Sequence, residues 1–321
     1  MKLPEKFVNN VLAACPEDGQ EWLDSLPELV SYCEKRWSLT IEHPFSLSYN
    51  FVAPATARSG EKVVVKISLP EEGYEREGLM ALNPEGRINI VDEDKEKRIL
   101  LLERVDPGNP LSEMNNDEEA TYTAAHVMKN IISSPAPDSP LPSTRLREQQ
   151  LRKLYLGCNA YLGPISKRTL KLALEVFTYL NDTARKRKVL HGDFHHYNIL
   201  QKGDGEWTAI DPKGLIGEVE YDLVQFLLNR LPDHNRQDCI RKRVDIFVEE
   251  LQLSKERLLL FGFCHSVLAA SWTVDQRTGH YDEVFYSGID TFQRLYENTY
   301  HQSIDIYRKR GRSNGEKSSN T

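Results

Sequence analysis

Apolar side chains recur at three- and four-residue intervals over the first forty residues, at Phe7, Val11 and Leu12, then at Trp22, Leu23, Leu26, Leu29 and Val30. That spacing lines one face of a helix and predicts two short helices at the start of the chain. From Phe45 to Leu69 the pattern turns β-rich: Leu47, Tyr49, Phe51 and Val52 precede the turn Arg58-Ser59-Gly60, and Lys62-Val63-Val64-Val65-Lys66-Ile67 follows it. A strand hairpin is expected there. A helix is expected from about residue 71 to Leu82, stopped by Pro84 and Gly86, and then strands over Ile88–Val91 and Arg98–Glu103. Pro107, Gly108 and Pro110 break the chain, and from Asn116 onward helical spacing dominates, interrupted by a loop from Ser133 to Ser143. The pattern therefore describes an α+β chain of two lobes with their boundary near Val105. The first lobe is 1–105, the helical lobe 106–310, and a polar tail over 311–321 has nothing to bury and is expected to be disordered.

One stretch inside the helical part is not helical. Val189-Leu190-His191-Gly192-Asp193-Phe194-His195-His196-Tyr197-Asn198-Ile199-Leu200 is followed by a turn at Gly203–Gly205 and by Trp207-Thr208-Ala209-Ile210-Asp211. Short apolar strands thus begin or end beside an Asp, an Asn and a second Asp.

Length and composition narrow the classes. A chain of 321 residues exceeds the size at which one core usually stops growing, in keeping with two lobes and a cleft between them. With 40% hydrophobic and 28% charged residues it belongs among globular proteins. A formal charge of −7 speaks against general nucleic-acid binding and suits a cationic small molecule. Cys15, Cys33, Cys158, Cys239 and Cys264 form no CxxC pair, so reduced thiols are expected instead of a zinc ribbon or a disulfide framework. No signal-like apolar region or membrane-length run is visible, which leads to the expectation of a cytoplasmic protein without membrane or obligate protein partners.

The island carries the chemistry of phosphoryl transfer. A hydroxyl nucleophile needs a carboxylate to orient it and take its proton, and Mg²⁺ needs hard oxygen ligands beside the phosphates. Asp193 is assigned the first role, Asn198 and Asp211 the second. Protein kinases place their base five residues before the metal-binding Asn, the spacing of Asp193 and Asn198.

The segments HGDFHHYNIL and AIDPKGLIGEVEYDL resemble the signature of the aminoglycoside phosphotransferase family, and AIDPKGLIGE is most similar to its streptomycin 6-phosphotransferase and hydroxyurea phosphotransferase branch. The resemblance spans roughly residues 40 to 290. It implies a bilobal protein-kinase-like fold, use of ATP and Mg²⁺, and phosphorylation of a hydroxyl on a cationic sugar such as streptomycin. It further implies a strand lysine, Lys66, paired with a helix glutamate, for which Glu77 is preferred to Glu75. It places a nucleotide-covering loop at Ser46–Asn50, with Ser48 reaching phosphate, and an adenine-binding hinge at Leu100–Val105 through the backbone of Glu103 and Val105. His191 is expected to brace the catalytic loop, Asp222 to accept loop amides or cap a helix, and Lys213 to face the phosphates. Acceptor-site walls are expected between Phe261 and Glu283, with Trp272, Asp275 and Glu283 as contacts for the cation.

Two other readings compete. His191, Asp193, His195 and His196 can be taken as the ligand cluster of a metal-dependent hydrolase, although Gly192 and the strand-like Val189-Leu190 oppose the helix that an i, i+4 histidine pair needs. A nucleotide-binding module without catalysis is the other; the presence of Lys66, Asp193, Asn198 and Asp211 together favours catalysis. Among small-molecule kinases, choline, homoserine, methylthioribose and fructosamines remain alternative acceptors.

Overall fold

In the computed structural model, residues 3–70, 73–157, 162–203, 205–275 and 278–307 are described. The expected disordered tail, Cys158, and positions 276–277 of the expected acceptor wall lie outside them. The chain opens with helices α1 (Glu5–Ala14) and α2 (Gly19–Arg36), as the apolar spacing requires. Strands β1 (Leu39–Ile41), β2 (Phe51–Ala57) and β3 (Lys62–Ile67) follow, then helix α3 (Glu75–Ala81) and strands β4 (Ile90–Asp94) and β5 (Ile99–Glu103). These strands make one antiparallel sheet in the order β1-β2-β3-β5-β4. The hairpin lies on β2 and β3, where Val52 pairs with Lys66. Leu47 and Tyr49 are outside it, in an irregular segment between β1 and β2.

Alternation along β3 decides what each side chain faces. Val63, Val65 and Ile67 point into a core shared with α1 and α2. Val64 and Lys66 point the other way, toward a smaller apolar cluster of Leu79, Ile88, Leu100, Leu102 and Val105, against which Leu200 and Ile210 also pack. Lys66 therefore emerges on the face that meets the second lobe.

After Glu103 the chain runs through β6 (Pro107–Pro110) and α4 (Asp117–Ile131), α5 (Arg145–Leu156) and α6 (Lys167–Asp182). Strands β7 (Lys188–Leu190), β8 (Ile199–Lys202), β9 (Trp207–Ala209) and β10 (Leu215–Gly217) come next. Helices α7 (Val219–Asp222), α8 (Val224–Leu228), α9 (Arg236–Leu251), α10 (Lys255–Trp272) and α11 (Glu283–Tyr300) complete the lobe. Residues Leu258 to Ser271 of α10 are buried without interruption, so this helix is the axis of the large core instead of an amphipathic cover.

Two pairings went unanticipated: β6 beside β8, and β10 beside β7. Both strands are too short to show a period of two, and Pro107, Gly108 and Pro110 mark β6 as a break instead. Cys15, Cys33, Cys239 and Cys264 are free thiols. Among the described residues no helix is long and apolar enough to cross a membrane.

Candidate active site

The site forms where two short strand pairs meet. β7 ends at Leu190, and His191-Gly192-Asp193 turns off it; β10 runs back beside β7, with Leu215 opposite Leu190. A short 3-10 turn, His196–Asn198, leads into β8, and the β8–β9 hairpin delivers Asp211. Sequence spacing alone separates these residues; the strand pairing makes them neighbours.

His191 holds the loop from inside. It is wholly buried, its Nε2 donates to the Ile210 carbonyl at 2.8 Å, and its Nδ1 accepts from the Asp193 amide at 3.3 Å. Burial lowers its pKa to about 4, so it is a neutral bracket between Asp193 and the strand preceding Asp211. Asp222, 2% exposed, accepts from the His191 and Gly192 amides, both at 2.7 Å. Gly192 has a φ of 81°, a conformation that favours glycine. Burial raises the pKa of Asp222 to about 7 against the pull of those two amides.

Asp211 adopts the left-handed conformation, φ 57°, at a cost of roughly 1–3 kcal/mol for a non-glycine residue. Its Oδ1 lies 2.6 Å from Lys66 Nζ and 3.4 Å from Lys213 Nζ. Burial alone would raise its pKa, but the Lys66 and Lys213 charges outweigh that effect and hold it at about 2. Lys213 thus stands beside the same carboxylate, half-exposed.

The glutamate that meets Lys66 is Glu75 and not Glu77, which corrects the expectation from sequence. Glu75 Oε2 is 2.7 Å from Lys66 Nζ and its side chain is 8% exposed, whereas Glu77 is 33% exposed and stands 3.5 Å from Arg76. Successive helical residues turn by about 100°, so positions 75 and 77 face nearly opposite ways and only one can reach the strand. Burial raises the pKa of Glu75 to about 7, with Lys66 pulling the other way. Two glycines set the approach of α3. A Cβ on Gly78 would come within 2.9 Å of Gly214 Cα, so α3 packs backbone to backbone on the loop after Asp211.

Asn198 is 8% exposed and donates from Nδ2 to the Asp193 carbonyl at 3.0 Å, which leaves its oxygen as the acceptor end. Asp193 accepts at Oδ1 from Gln225 Nε2 at 3.1 Å, and burial raises its pKa. Gln225 was not anticipated; its signal is a single polar residue inside the apolar run Val224-Gln225-Phe226-Leu227-Leu228.

Ser48 lies in the exposed segment between β1 and β2, its carbonyl accepting from Asn10. Glu103 ends β5, with its carboxylate held by Asn89 and by Lys202 at 2.8 Å, and Val105 is buried beside it. The histidines do not converge: His191 turns to Ile210, while the His196 ring stacks on Phe226 at 3.8 Å. Among the described residues no three His, Cys, Asp or Glu side chains group as metal ligands. On the expected acceptor wall, Trp272 is 48% exposed and Arg147 lies over its ring at 5.4 Å. Asp275 Oδ1 accepts from the Thr278 amide at 2.9 Å, and Glu283 is exposed at the start of α11.

A family described as aminoglycoside/hydroxyurea antibiotic resistance kinase matches residues 39–277. Streptomycin 6-kinase of Streptomyces glaucescens is 27% identical over 289 residues, covering 88% of this chain and 94% of that protein. The choline kinase LicA of Streptococcus pneumoniae superposes with a TM-score of 0.57 at 13% identity, over 84% of this chain and 99% of that one. A thermostable mutant of the aminoglycoside phosphotransferase APH(4)-Ia, in a ternary complex with ADP and hygromycin B, gives 0.54 at 12% identity, over 85% and 98%. The two structural likenesses establish a protein-kinase-like fold with a β-sheet N-lobe and a helical C-lobe.

Proposed function

Because the chain belongs to the aminoglycoside/hydroxyurea antibiotic resistance kinase family, we propose that it moves the γ-phosphate of ATP onto a hydroxyl of an aminoglycoside, with streptomycin as the first acceptor to test. The observation that carries this reading is the meeting of Lys66, Glu75 and Asp211 at 2.6–2.7 Å on a loop framework shared with Asp193 and Asn198.

Each residue has a role that its surroundings support. Glu75 fixes Lys66, so that its ammonium is ready for the nucleotide phosphates. Asp193, desolvated and oriented by Gln225, receives the proton of the acceptor hydroxyl as that oxygen bonds to phosphorus. Lys213 adds a second cation at the phosphate end. The backbone of Glu103 and Val105 is the candidate adenine contact, and Ser48 sits on the segment that would cover the phosphates.

Asn198 and Asp211 would hold Mg²⁺, and they fit it: one presents an amide oxygen, the other a carboxylate that stays ionised. With so few protein ligands, the remaining coordination falls to phosphate and water, the usual habit of that ion. When bound, Mg²⁺ neutralises the charge that builds on the phosphates.

Purified protein with ATP, Mg²⁺ and a panel of streptomycin, other aminocyclitols, hydroxyurea and choline tests the proposal. ATP-dependent phosphorylation of streptomycin is the expected result. Transfer to another alcohol alone would keep the kinase assignment and remove the acceptor. No transfer to any of them would remove both.

A further inference from the structure

Gln225 belongs to no motif that marks the site, yet its amide is hydrogen-bonded to the carboxylate assigned as base: Nε2 donates to Asp193 Oδ1 at 3.1 Å. His195 Nε2 stands 3.6 Å from the same oxygen, outside hydrogen-bond distance. An amide N–H fixed on one oxygen of a carboxylate stops its rotation and leaves the other oxygen as the open acceptor.

The helix that carries Gln225 is clamped from below. Arg243 is wholly buried and donates to the carbonyls of Phe226 at 2.9 Å, Leu227 at 3.2 Å and Asn229 at 2.7 Å, while its guanidinium pairs with Asp117. Four peptide units from Phe226 to Arg230 are thereby tied to one side chain that cannot leave its place. Phe226, the next residue, stacks on His196 of the catalytic turn at 3.8 Å and 15° between planes. The frame thus joins α8 to the loop on which Asp193 sits, and Gln225 spans the gap between them.

We propose that Gln225 is a positioning residue for phosphoryl transfer: it locks the Asp193 carboxylate through Oδ1, so that Oδ2 receives the proton of the acceptor hydroxyl. The acceptor oxygen forms its bond to the γ-phosphorus, the bond from that phosphorus to the β-γ bridging oxygen breaks, ADP leaves, and the proton passes to Oδ2. This rests on the kinase reading given above. Misplacement of a reacting group by about 1 Å can cost roughly 100-fold in rate, so a base free to rotate is expected to lower turnover without weakening binding.

Two variants separate positioning from packing. Gln225→Met keeps the volume and loses the donor; Gln225→Glu keeps the outline and replaces the donor with an acceptor. With the acceptor that the wild-type protein phosphorylates, both are expected to lower kcat about 10- to 100-fold. The KM for acceptor and for ATP should stay within about twofold, and melting should be unchanged for at least one of them. Wild-type kcat in the Met variant, or a loss confined to the acceptor KM, would overturn the proposal, the latter by making Gln225 an acceptor contact. Crystal structures of wild type and of the folded variant give an independent arm: the Asp193 carboxylate is expected to turn once the donor is gone. If the wild-type protein phosphorylates nothing in the panel, the functional reading and the catalytic half of this proposal fall together, and this arm decides only whether Gln225 fixes the Asp193 carboxylate. An Asp193 rotamer unmoved by the loss of the amide would then overturn the proposal.

Discussion

Lys66 and Asp211, 145 positions apart in the chain, meet at 2.6 Å across the two lobes, and Glu75 closes on the same ammonium from α3 at 2.7 Å. One cation thus faces the buried carboxylate of Glu75 and the partly exposed one of Asp211. The contact depends on the alternation of β3, which turns Lys66 away from the α1–α2 core, and on the glycine-to-glycine approach of α3 to the loop after Asp211.

Removing that cation leaves Glu75 and Asp211 facing each other. Lys66→Met is therefore expected to destabilise the fold by about 3–5 kcal/mol, the usual cost of stripping one partner from a buried pair. It should also raise the ATP KM more than the acceptor KM. Glu75→Gln should impair nucleotide use in the same direction, whereas Glu77→Gln should leave stability within about 0.5 kcal/mol of wild type, as exposed substitutions usually do. Urea titration and steady-state kinetics on the three variants check this; equal effects at 75 and 77 would remove Glu75 from its place.

Asp193→Asn keeps the shape of the loop and removes the proton acceptor. Turnover is expected to fall about 10²- to 10⁴-fold, the usual contribution of general acid–base catalysis. Nucleotide affinity should hardly change, because Asp193 is bonded to Gln225 and not to Lys66. Calorimetric titration with ADP beside single-turnover kinetics measures both quantities, and undiminished turnover would exclude Asp193 as the base.

The two lobes and the gathering of Asp193, Asn198 and Asp211 were legible in the sequence for a physical reason. Asp193, Asn198 and Asp211 lie on one contiguous island whose non-helical composition stands out against helical surroundings, and Lys66 ends a run of valines that can only be a strand. Glu75 was not legible: Glu-Arg-Glu places a carboxylate at each of two positions, and the choice depends on the rotation of α3. That rotation is set by Gly78 against Gly214, a contact between distant parts of the chain. Gln225 was hidden likewise, since nothing local links α8 to Asp193. The surroundings of Trp272 were not legible either, because Arg147, from a helix far away in sequence, lies over its ring.

Metal dependence gives a further test of the loop. Turnover is expected to vanish with EDTA and return with Mg²⁺. Asp211→Asn should raise the half-saturating Mg²⁺ concentration at least about tenfold, since even residues behind a ligand are worth that much in affinity. An unchanged Mg²⁺ requirement in that variant would take Asp211 out of the metal site.

A last prediction concerns stability and acid. His265 is 3% exposed on the core helix α10; Tyr221 meets its Nδ1 at 3.1 Å, and the rings of Trp272 and Phe285 stand edge-on to it. Burial, helped by the positive charge of Arg147, lowers its pKa to about 3. In the unfolded chain the same ring titrates near 6.5. Above about pH 7 it is neutral in both states and contributes nothing to the pH dependence. As pH falls below 6.5 the unfolded chain binds a proton that the fold refuses, so stability drops with falling pH, by about 1.4 kcal/mol per unit, until about pH 3. Glu75 and Asp222, both raised to about 7, act in the opposite sense over part of this range, so the total curve mixes the effects. The difference between wild type and His265→Phe isolates the histidine. Its expected form is flat above about pH 7, with wild type losing about 2 kcal/mol relative to the variant between pH 6.5 and 5. Denaturant titrations of both proteins across that range measure it, and a difference independent of pH would mean that the ring is protonated as readily in the fold as in water.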